Sequence, residues 1–572
     1  MNTNATLKSV PSNAPPFRPD LAFAGFTPDM IERLKAYGRE ESIPAKTPLW
    51  SRGERHVDMF VVLEGVIEVY GHGEDSAREV IATIRHGQFT GELDLLNSRP
   101  SLVDGCTVTD CRLLRVPRAD LQRVMRSEAD IANLIMQATI WRRIGILERS
   151  EIGIILLGSS TAAETLQLQR FLVRNSYPFR LFEPTPEQVA DSTGTQPEHY
   201  HLPAIIFPDG RVLEAPGIGE LADELGINET VSSETTYDIA IVGAGPSGLA
   251  AAVYGASEGL STLVLEGIAP GGQAGTSSKI ENYLGFPTGV SGQELANRAQ
   301  VQAQKFGARL AISRDVVRID QANGIHKLIL AGGAVIKARA VIIATGAQYR
   351  KLNVPNFSRF ENQGIQYAAT AMEANLCRDQ EVAVVGGGNS AGQAAVFLSG
   401  IASHVHLIIR GASLIDSMSS YLLSRIESSP RITLHTHTEI EHLAGDTVLR
   451  SATWVNHQTG ERTTRPIASL FVMIGAEPNT GWLYGTVALD RKGFIITGTD
   501  KAFEQTRYAT SVPGIYAVGD VRSDSVKRIA SAVGEGSIVI ADVHRYLAAH
   551  PAVCAEANST LAAMQAVTAA VA

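Results

Sequence analysis

Residues 237–248 read YDIAIVGAGPSG, in which an apolar run typical of a buried strand leads directly into three glycines at G-x-G-x-x-G spacing. The following residues, LAAAVYGASEG, predict a helix, and TLVLE predicts a second strand that ends at Glu266. In this strand–turn–helix setting the glycines let the backbone approach a pyrophosphate, which the helix N-terminus then stabilises. An acid about 20 residues further on accepts hydrogen bonds from a ribose diol. The predicted dinucleotide site consists of Gly243, Gly245, Pro246, Ser247, Gly248 and Glu266.

A second turn of the same kind follows later in the chain. EVAVV leads into GGGNSA at 386–391, a helix comes next, and the strand HVHLII ends at Arg410. A guanidinium there attracts the 2′-phosphate of NADPH, whereas an acid repels it. The first turn therefore suits FAD or NAD, and the second favours NADPH over NADH; alternatively, Arg410 is only a solvated strand end. The predicted NADPH site consists of Gly386, Gly388, Asn389, Ser390, Ala391 and Arg410.

Five further motifs accompany the two turns: GGQ at 271–273, IENYLGFP at 280–287, ATGAQYR at 344–350, IGAEPNT at 474–480 and PGIYAVGD at 513–520. With them, the chain from Tyr237 to about Leu547 resembles thioredoxin reductase and, more broadly, flavoproteins with two dinucleotide-binding domains. The resemblance implies an FAD-binding domain at 237–354 and 482–548, with an NAD(P)H-binding domain inserted at 355–481. It implies a homodimer, and it places Asp520 on the ribityl–phosphate part of FAD. It adds to the FAD site Gly271, Gly272, Gln273, Asn282, Gly346, Gly519, Asp520, Ile529 and Ala530.

One motif of the resemblance is broken. Thioredoxin reductases carry C-A-T-C and then Asp at the start of the nicotinamide domain, but here Tyr367 is followed by Ala368-Ala369-Thr370-Ala371-Met372. A dithiol must take the electrons of the flavin and pass them to a disulfide, which alanine cannot do. We therefore expect no thioredoxin reduction by this route, and catalytic residues stay unassigned.

Two neighbours of the broken motif are candidates for a role. Glu373 is a substitute proton source, and Cys377 is a single thiol that we interpret as an inert core residue. The acceptors left open are a quinone, a flavodoxin or ferredoxin, and oxygen. Thioredoxin-reductase-like ferredoxin reductases cover the flavin with an aromatic C-terminal extension, whereas this chain has no aromatic residue after Tyr546.

The middle segment, residues 156–230, has a βαβ start and then a predicted hairpin that turns at Pro208-Asp209-Gly210. Together with Leu202-Pro203-Ala204 before a strand, it resembles a thioredoxin or glutaredoxin fold, which implies a cis proline facing the active cysteines. The chain has GSSTAA at 158–163 instead of those cysteines. We interpret it as a docking or spacing module, or as a plain connecting domain.

Residues 25–155, here called the N-terminal barrel, show short alternating strands with glycine turns and then a long helix predicted from Arg118 to about Ile152. The stretch resembles a cyclic-nucleotide-binding domain, which implies a nucleotide site at Gly91-Glu92-Leu93. The family's phosphate-binding arginine corresponds to Ser101, and Arg99 lies two residues away. We therefore expect weak cyclic-nucleotide binding; alternatively, Glu92 is a surface carboxylate and the barrel is structural.

Composition excludes several classes of protein. The 572 residues carry 50 Lys plus Arg against 59 Asp plus Glu, a net charge of −9, which does not suggest nucleic-acid binding. No apolar run approaches the roughly 20 residues that span a bilayer. The four cysteines include no C-x-x-C, so we expect neither a disulfide scaffold nor a metal site, and a cytoplasmic location. Residues 1–24 predict a disordered leader, and the Ala-rich tail 549–572 is unassigned.

The sequence thus predicts a multidomain protein with an N-terminal β-barrel, a thioredoxin-like α/β unit and two Rossmann-like dinucleotide-binding domains. Its predicted function is hydride transfer from NADPH to FAD and then to a small-molecule or small redox-protein acceptor. The rival hypothesis is a catalytically quiet flavoprotein that senses NADPH or a cyclic nucleotide.

Overall fold

The computed structural model describes residues 17–72, 78–91, 95, 99–148, 153–159, 162–183, 201–228, 231–276, 280, 283–322, 324–361, 363–367, 369, 377–415, 417–446, 448–498 and 506–551. The chain divides into two compact units, Met1–Gly346 with Thr480–Ala572, and Ala347–Asn479. Within the second unit, the strands at Ala347–Tyr349 and Ala476–Pro478 pair with each other. Among the described residues, no helix has the length and apolarity needed to cross a bilayer.

The N-terminal barrel consists of two antiparallel sheets with strand orders β1-β7-β3 and β2-β6-β4-β5, which enclose apolar clusters. A short 3₁₀ turn lies at Lys35–Tyr37. Its elements are α1 (Pro19–Ala22), α2 (Pro28–Leu34), β1 (Arg39–Ile43), β2 (Pro48–Trp50), β3 (Met59–Glu64), β4 (Ile67–His72), β5 (Arg78–Ile84), β6 (Asp104–Thr107), β7 (Cys111–Val116), α3 (Arg118–Ser127) and α4 (Ala129–Glu148).

Two predictions for the N-terminal barrel need correction. Pro19–Ala22, at the end of the leader predicted to be disordered through residue 24, forms α1, because Arg142 Nε donates to the Ala22 carbonyl oxygen at 2.8 Å and Ala22 is fully buried. Residues 1–16 of the leader lie outside the described residues. The single long helix is instead two helices, because Glu128 leaves helical geometry at φ −114° and ψ 83°. Its carboxylate accepts hydrogen bonds from Arg33 at 2.5 Å and from Tyr37 at 3.1 Å, which offsets the interrupted helix.

The middle segment is a four-stranded sheet of order β11-β10-β8-β9, in which β8 and β9 are parallel and β10 and β11 are antiparallel to their neighbours. The Leu202–Pro203 bond is cis. Its apolar residues belong to one core with the sheet that follows, so this sheet does not fold around a separate core. Its elements are β8 (Ile154–Leu157), α5 (Ala163–Arg174), β9 (Phe179–Phe182), β10 (Ala204–Ile206), β11 (Val212–Glu214) and α6 (Ile218–Glu224).

The rest of the first unit is built on a sheet of order β14-β13-β12-β17-β16-β15, with β28 parallel to β17. Short 3₁₀ turns lie at Ala274–Thr276, Gly481–Leu483 and Gly519–Val521. The elements are β12 (Thr236–Val242), α7 (Pro246–Ser257), β13 (Thr262–Glu266), α8 (Gly292–Lys305), β14 (Arg309–Ile312), β15 (Val316–Ala322), β16 (Ile325–Leu330), β17 (Val335–Ile343), β28 (Ile515–Ala517) and α12 (Ile529–Ala549).

The second unit contains a parallel sheet of order β19-β26-β20-β21-β22 and an antiparallel sheet β23-β24-β25. Both units therefore contain the α/β sheets that the sequence predicts, with β15 and β16 as antiparallel additions to the otherwise parallel sheet of the first unit. The elements are β18 (Ala347–Tyr349), α9 (Phe357–Phe360), β19 (Ile365–Gln366), β20 (Glu381–Val385), α10 (Asn389–Leu398), β21 (His404–Ile408), α11 (Ser420–Glu427), β22 (Ile432–His435), β23 (Thr438–Gly445), β24 (Leu449–Asn456), β25 (Arg462–Arg465), β26 (Ser469–Val472) and β27 (Ala476–Pro478).

Candidate functional site

The first glycine-rich turn joins β12 to α7, and its three glycines have different roles. Gly243 has φ +102°, and a Cβ there would lie 2.5 Å from the Ala344 carbonyl oxygen. A Cβ on Gly248 would lie 1.9 Å from the Gly243 carbonyl oxygen, so both positions require glycine for packing. The Cβ direction of Gly245 is open, with the Gly272 Cα nearest at 3.9 Å. Gly245 thus leaves the space that a pyrophosphate needs.

Glu266 ends β13 and fixes the backbone of this turn. Its Oε2 accepts a hydrogen bond from the Ala244 N–H at 2.8 Å, and its Oε1 accepts one from the Ile268 N–H at 3.1 Å. A carboxylate has about four lone-pair sites, so capacity remains for a ribose diol. Helix α7 begins with Pro246 and has no side-chain cap, which leaves its first amides for an anion.

The C-terminal part of the first unit approaches the same turn through close glycine contacts. A Cβ on Gly519 would lie 2.6 Å from Ser247 Oγ, and one on Gly536 would lie 2.1 Å from the Ser247 carbonyl oxygen. These contacts place the 3₁₀ turn at 519–521 and the helix α12 against α7. The segment predicted to complete the FAD site is therefore next to the first turn.

A buried ion pair holds the 519–522 segment. Arg522 Nη2 donates to Glu535 Oε1 at 2.8 Å, and the Gly519 N–H donates to Glu535 Oε2 at 2.6 Å. Arg522 Nη1 also donates to Thr497 Oγ1 at 2.9 Å. Removing one partner of such a buried pair costs roughly 3–5 kcal/mol, because the other charge stays buried.

Asp520 lies on this segment and has an unused carboxylate. Burial raises its pKa above the ordinary value. Asp520 is half-buried, and among the described residues no donor hydrogen-bonds to its carboxylate. A hydroxyl-rich ligand would satisfy it, so this carboxylate and the open space beside Gly245 both fit FAD.

The other residues predicted for FAD line the same region or lie outside the description. Gly271, Gly272 and Gly346 have positive φ of +104°, +54° and +65°, which favour glycine. Ile529 and Ala530 form the first turn of α12, which has no side-chain cap. Gln273 lies in the loop directly after Gly272. Asn282 lies outside the described residues.

The second glycine-rich turn joins β20 to α10, and its glycines have surroundings similar to those of the first turn. A Cβ on Gly386 would lie 2.3 Å from the Met473 carbonyl oxygen, whereas the space beside Gly388 is open. Asn389 begins α10, and its Oδ1 accepts from the Ser419 N–H at 2.8 Å. Ser390 is exposed, and Ala391, at the position of the third glycine of the G-x-G-x-x-G motif, is fully buried.

Arg410 lies two residues after β21, with its side chain 84% exposed. Its Nε is 3.8 Å from Glu439 Oε1, and His457 Nε2 lies closer to that carboxylate, 2.9 Å from Oε2. Exposed pairs of this kind contribute roughly 0–1 kcal/mol, so the guanidinium can reorient toward an anion at little cost. The geometry fits a 2′-phosphate site, and it fits a solvated strand end equally.

The segment that corresponds to the C-A-T-C motif of thioredoxin reductases lies largely outside the described residues, which leaves out Ala368, Ala371 and Glu373. Tyr367, just before it, donates from its hydroxyl to Glu361 Oε1 at 2.6 Å and stacks on Tyr349 at 5.1 Å. Burial, with Glu361 beside the phenol, raises the pKa of Tyr367. Cys377 is fully buried among apolar side chains, which supports its interpretation as a core thiol.

The N-terminal barrel encloses a cavity of about 240 Å³. Ser101 lines it, is 3% exposed, and donates from Oγ to the Val103 carbonyl oxygen at 2.9 Å. Arg99 donates from Nη1 to the Asn175 carbonyl oxygen at 2.8 Å, in the middle segment. This bond connects Arg99 to the middle segment. Glu92 and Leu93 lie outside the described residues, and Gly91 lines the cavity.

Sequence reasoning missed Arg142, which contacts the predicted nucleotide loop. Arg142 comes from α4, is 8% exposed, and donates from Nη1 to the Gly91 carbonyl oxygen at 2.6 Å. Sequence reasoning also missed Glu535. An acidic residue within an otherwise apolar helical stretch could have indicated a buried charged partner. Among the described residues, no group of three or more His, Cys, Asp or Glu side chains is placed to hold a metal ion.

Comparison with known proteins identifies two regions. Residues 237–536 match the family described as pyridine nucleotide-disulphide oxidoreductase, and residues 40–128 match the cyclic nucleotide-binding domain. Thioredoxin reductase of Mycolicibacterium smegmatis is 36% identical over 317 residues, covering 55% of this chain and 98% of that protein. The bifunctional thioredoxin reductase/thioredoxin of Mycobacterium leprae is 32% identical over 335 residues, covering 58% of this chain and 70% of that protein.

Solved structures cover the same region. The crystal structure of thioredoxin reductase from Streptococcus pyogenes MGAS5005 is 32% identical, with a TM-score of 0.48, and covers 55% of this chain and 100% of that chain.

Proposed function

Because the chain belongs to the pyridine nucleotide-disulphide oxidoreductase family, we propose that it is an NADPH-dependent FAD oxidoreductase whose acceptor is not a protein disulfide. Family membership implies binding of FAD and NAD(P)H. The proposal of NADPH, FAD and an acceptor other than a disulfide is supported by the pair of glycine-rich turns. Glu266 binds the backbone of the first turn, and Arg410 follows the second. The chain has no C-x-x-C motif.

FAD, when bound, supplies a carrier that takes two electrons from a nicotinamide and passes them to an acceptor. The first turn would bind its pyrophosphate through backbone amides, Glu266 its ribose, and Asp520 a hydroxyl or the phosphate-bearing chain. The Arg522–Glu535 pair keeps Asp520 in place, since Glu535 binds the backbone of Gly519. The remaining FAD residues would be Gly271, Gly272, Gln273, Asn282, Gly346, Ile529 and Ala530.

The second unit would hold NADPH. The uncapped start of α10, with Gly386, Gly388, Asn389, Ser390 and Ala391, would bind the pyrophosphate. The exposed guanidinium of Arg410 would bind the 2′-phosphate, which NADH lacks. Only Glu439, at 3.8 Å, competes for Arg410 among the described residues.

The acceptor would be a quinone, a flavodoxin or ferredoxin, or oxygen. A panel of these acceptors, assayed with NADPH and the purified chain, tests the proposal, with thioredoxin disulfide as the comparison. We expect turnover with at least one direct flavin acceptor and none with thioredoxin disulfide. Cys377→Ala should leave dye reduction unchanged because the thiol is buried in the core. Loss of dye reduction with FAD retained would require a mechanism through this thiol.

The domain assignments and the assembly are part of the proposal. The sheet order of the middle segment supports a thioredoxin-like unit without cysteines. We place the FAD domain at 237–354 and 482–548 and the NADPH domain at 355–481, in a cytoplasmic homodimer. The cyclic nucleotide-binding domain would bind its ligand weakly, because Ser101 replaces the usual guanidinium.

A second candidate function follows from the same barrel. A sensor domain joined to a reductase without its dithiol fits a flavoprotein that reports NADPH or a cyclic nucleotide by changing shape. The two candidates differ in whether NADPH reduces the flavin at an enzymatic rate.

A further inference from the structure

The turn that ends α5, residues 174–177 and here called the bridging turn, contacts the loop that carries the GGQ motif. Arg174 Nη2 donates to the carbonyl oxygens of Ala269 and Gly272, each at 3.1 Å. These carbonyls lie just before and within the motif. Burial lowers the pKa of Arg174, and the Glu266 carboxylate opposes that shift. The guanidinium therefore lies in the electrostatic field of the predicted ribose-binding acid.

Asn175 adds a second attachment to the same loop. It is 3% exposed, and its Nδ2 donates to the Ile268 carbonyl oxygen at 3.2 Å and to the Phe171 carbonyl oxygen at 3.0 Å. Helix α8 holds the bridging turn from another side, since Gln293 Nε2 donates to the Arg174 carbonyl oxygen at 2.8 Å. The bridging turn is thus fixed and can act as a rigid support for residues 268–272.

The opposite side of the bridging turn contacts the N-terminal barrel. Arg99 Nη1 donates to the Asn175 carbonyl oxygen at 2.8 Å. Tyr177 packs against the cluster that contains Leu102 and Val103. Both residues follow Ser101, which lines the cavity of the barrel. Residues 99–103 are here called the cavity loop. One short turn therefore contacts both the cavity loop of the barrel and the loop at the predicted flavin site.

We propose that Arg174 is a positioning residue for the GGQ loop and that the bridging turn transmits the state of the barrel's cavity loop to the flavin through Arg99. The proposal rests on the proposed FAD site. Arg174 acts by holding two backbone carbonyls, so its loss loosens the loop without removing a group that contacts FAD. The middle segment then has a role that needs no cysteines, because it supports the flavin loop and connects it to the barrel.

Arg174→Gln in the full-length flavoprotein tests the positioning role, with Arg170→Gln as the matched control. Arg170 lies on the same helix and is exposed. Loss of a charged donor to two carbonyls should raise the FAD dissociation constant about 10-fold and shift the flavin absorbance band. Arg174→Lys keeps the charge but not the forked geometry, and we expect an intermediate value. An FAD affinity and a flavin spectrum equal to those of Arg170→Gln would overturn the positioning role.

Arg99→Gln tests the connection to the barrel, with Arg85→Gln on an exposed part of the barrel as its control. Arg99→Gln should weaken FAD binding although Arg99 belongs to the barrel. In the double variant with Arg174→Gln, the two effects on the dissociation constant should depart from additivity by about 3-fold, as for residues in one network. Multiplicative effects, or no effect of Arg99→Gln beyond that of Arg85→Gln, would overturn the connection.

The unmodified protein separates the failure of this inference from that of the proposed function. If it binds no FAD, the proposed function fails and this inference falls with it. If it binds FAD and the Arg174→Gln protein binds it equally well, only the inference is overturned.

Discussion

The two glycine-rich turns have the same backbone arrangement, but a different side chain lies at the end of the strand that follows each of them. Gly243 and Gly386 both face a carbonyl oxygen, at 2.5 and 2.3 Å from where a Cβ would lie, so packing alone demands glycine at each. Gly245 and Gly388 both face open space. The third position differs, because Gly248 touches the backbone of Gly243 whereas its counterpart is the fully buried Ala391.

The larger difference lies where the second strand ends. Glu266 is hydrogen-bonded into the first turn, whereas Arg410 is 84% exposed and near only one carboxylate, that of Glu439, among the described residues. We therefore expect the shared backbone to suit any pyrophosphate, and the proposed choice of dinucleotide to depend on a single side chain at each site.

The largest effect is expected from filling the open position of each turn. Gly245→Val should fold, because the nearest atom to a Cβ is 3.9 Å away, but should lower FAD affinity roughly 100-fold or more by overlap with the pyrophosphate. Gly388→Val should spare FAD and abolish NADPH binding. FAD content after gel filtration measures the effect of Gly245→Val, and titration with NADPH measures the effect of Gly388→Val. Stoichiometric FAD in the Gly245→Val protein would refute the assignment of the first turn.

Each unit also holds a histidine that burial keeps neutral, His326 in the first unit, which is fully buried, and His435 in the second, which is half-buried. Both histidines predict a loss of stability in acid. Burial lowers the pKa of His326 and of His435 from 6.5 to about 4. His326 is fully buried, and neither ring nitrogen has a partner among the described residues. Between pH 6.5 and 4 the unfolded chain binds a proton that the folded chain does not, so stability falls as the pH falls through this window. For His326 the loss reaches about 3 kcal/mol.

Denaturation curves between pH 7 and 4 test the His326 contribution. His326→Leu should flatten the pH dependence of the first unit's unfolding free energy, whereas His201→Leu, at an exposed histidine, should leave it as steep as before. An equal slope in the two variants would show that carboxylates alone cause the acid sensitivity.

The cavity loop of the barrel extends the comparison to a third proposed nucleotide site, in which Ser101 stands at the position predicted for an arginine. Ser101→Arg should tighten cyclic AMP binding by roughly 10- to 150-fold, because a guanidinium replaces one neutral hydrogen bond to the phosphate. Calorimetry on the full-length protein measures it, with Arg99→Gln as a check on the nearby arginine. Tight binding by the unmodified protein would show that another group holds the phosphate, and no gain would make the barrel a structural domain.

The smallest effect is expected at Arg410. Arg410→Ala should raise the KM for NADPH about 10-fold and leave the KM for NADH unchanged, because only NADPH carries the 2′-phosphate. The lower end of the range for a charged pair applies, since Gly411 follows Arg410 and supplies no second charge. Steady-state kinetics with both nucleotides decide it. Equal use of NADH by the unmodified protein would make Arg410 only a strand end.

The sequence predicted what depends on local pattern. The strand–turn–helix setting of Gly243 and Gly386, and the end of a strand at Glu266, follow from periodicity and glycine spacing, and the structure has them. The contacts of Arg174, Arg99 and Glu535 could not be predicted, because each joins segments whose proximity depends on tertiary packing.

Two local errors have the same origin. The helix break at Glu128 and the ordered α1 near Ala22 both depend on partners far away in the sequence, Arg33 and Arg142. The helical pattern after the barrel and the polar composition of the leader do not indicate such partners. At both sites, tertiary hydrogen bonds determine the backbone conformation against the local sequence preference.

The central claim is that the two turns cooperate in hydride transfer, and anaerobic mixing of NADPH with the purified flavoprotein tests it most directly. We predict that the flavin absorbance band bleaches within seconds, and more slowly in the Arg410→Ala protein at the same low NADPH concentration. A flavin band that persists for many minutes with excess NADPH would contradict the claim and favour the regulatory protein.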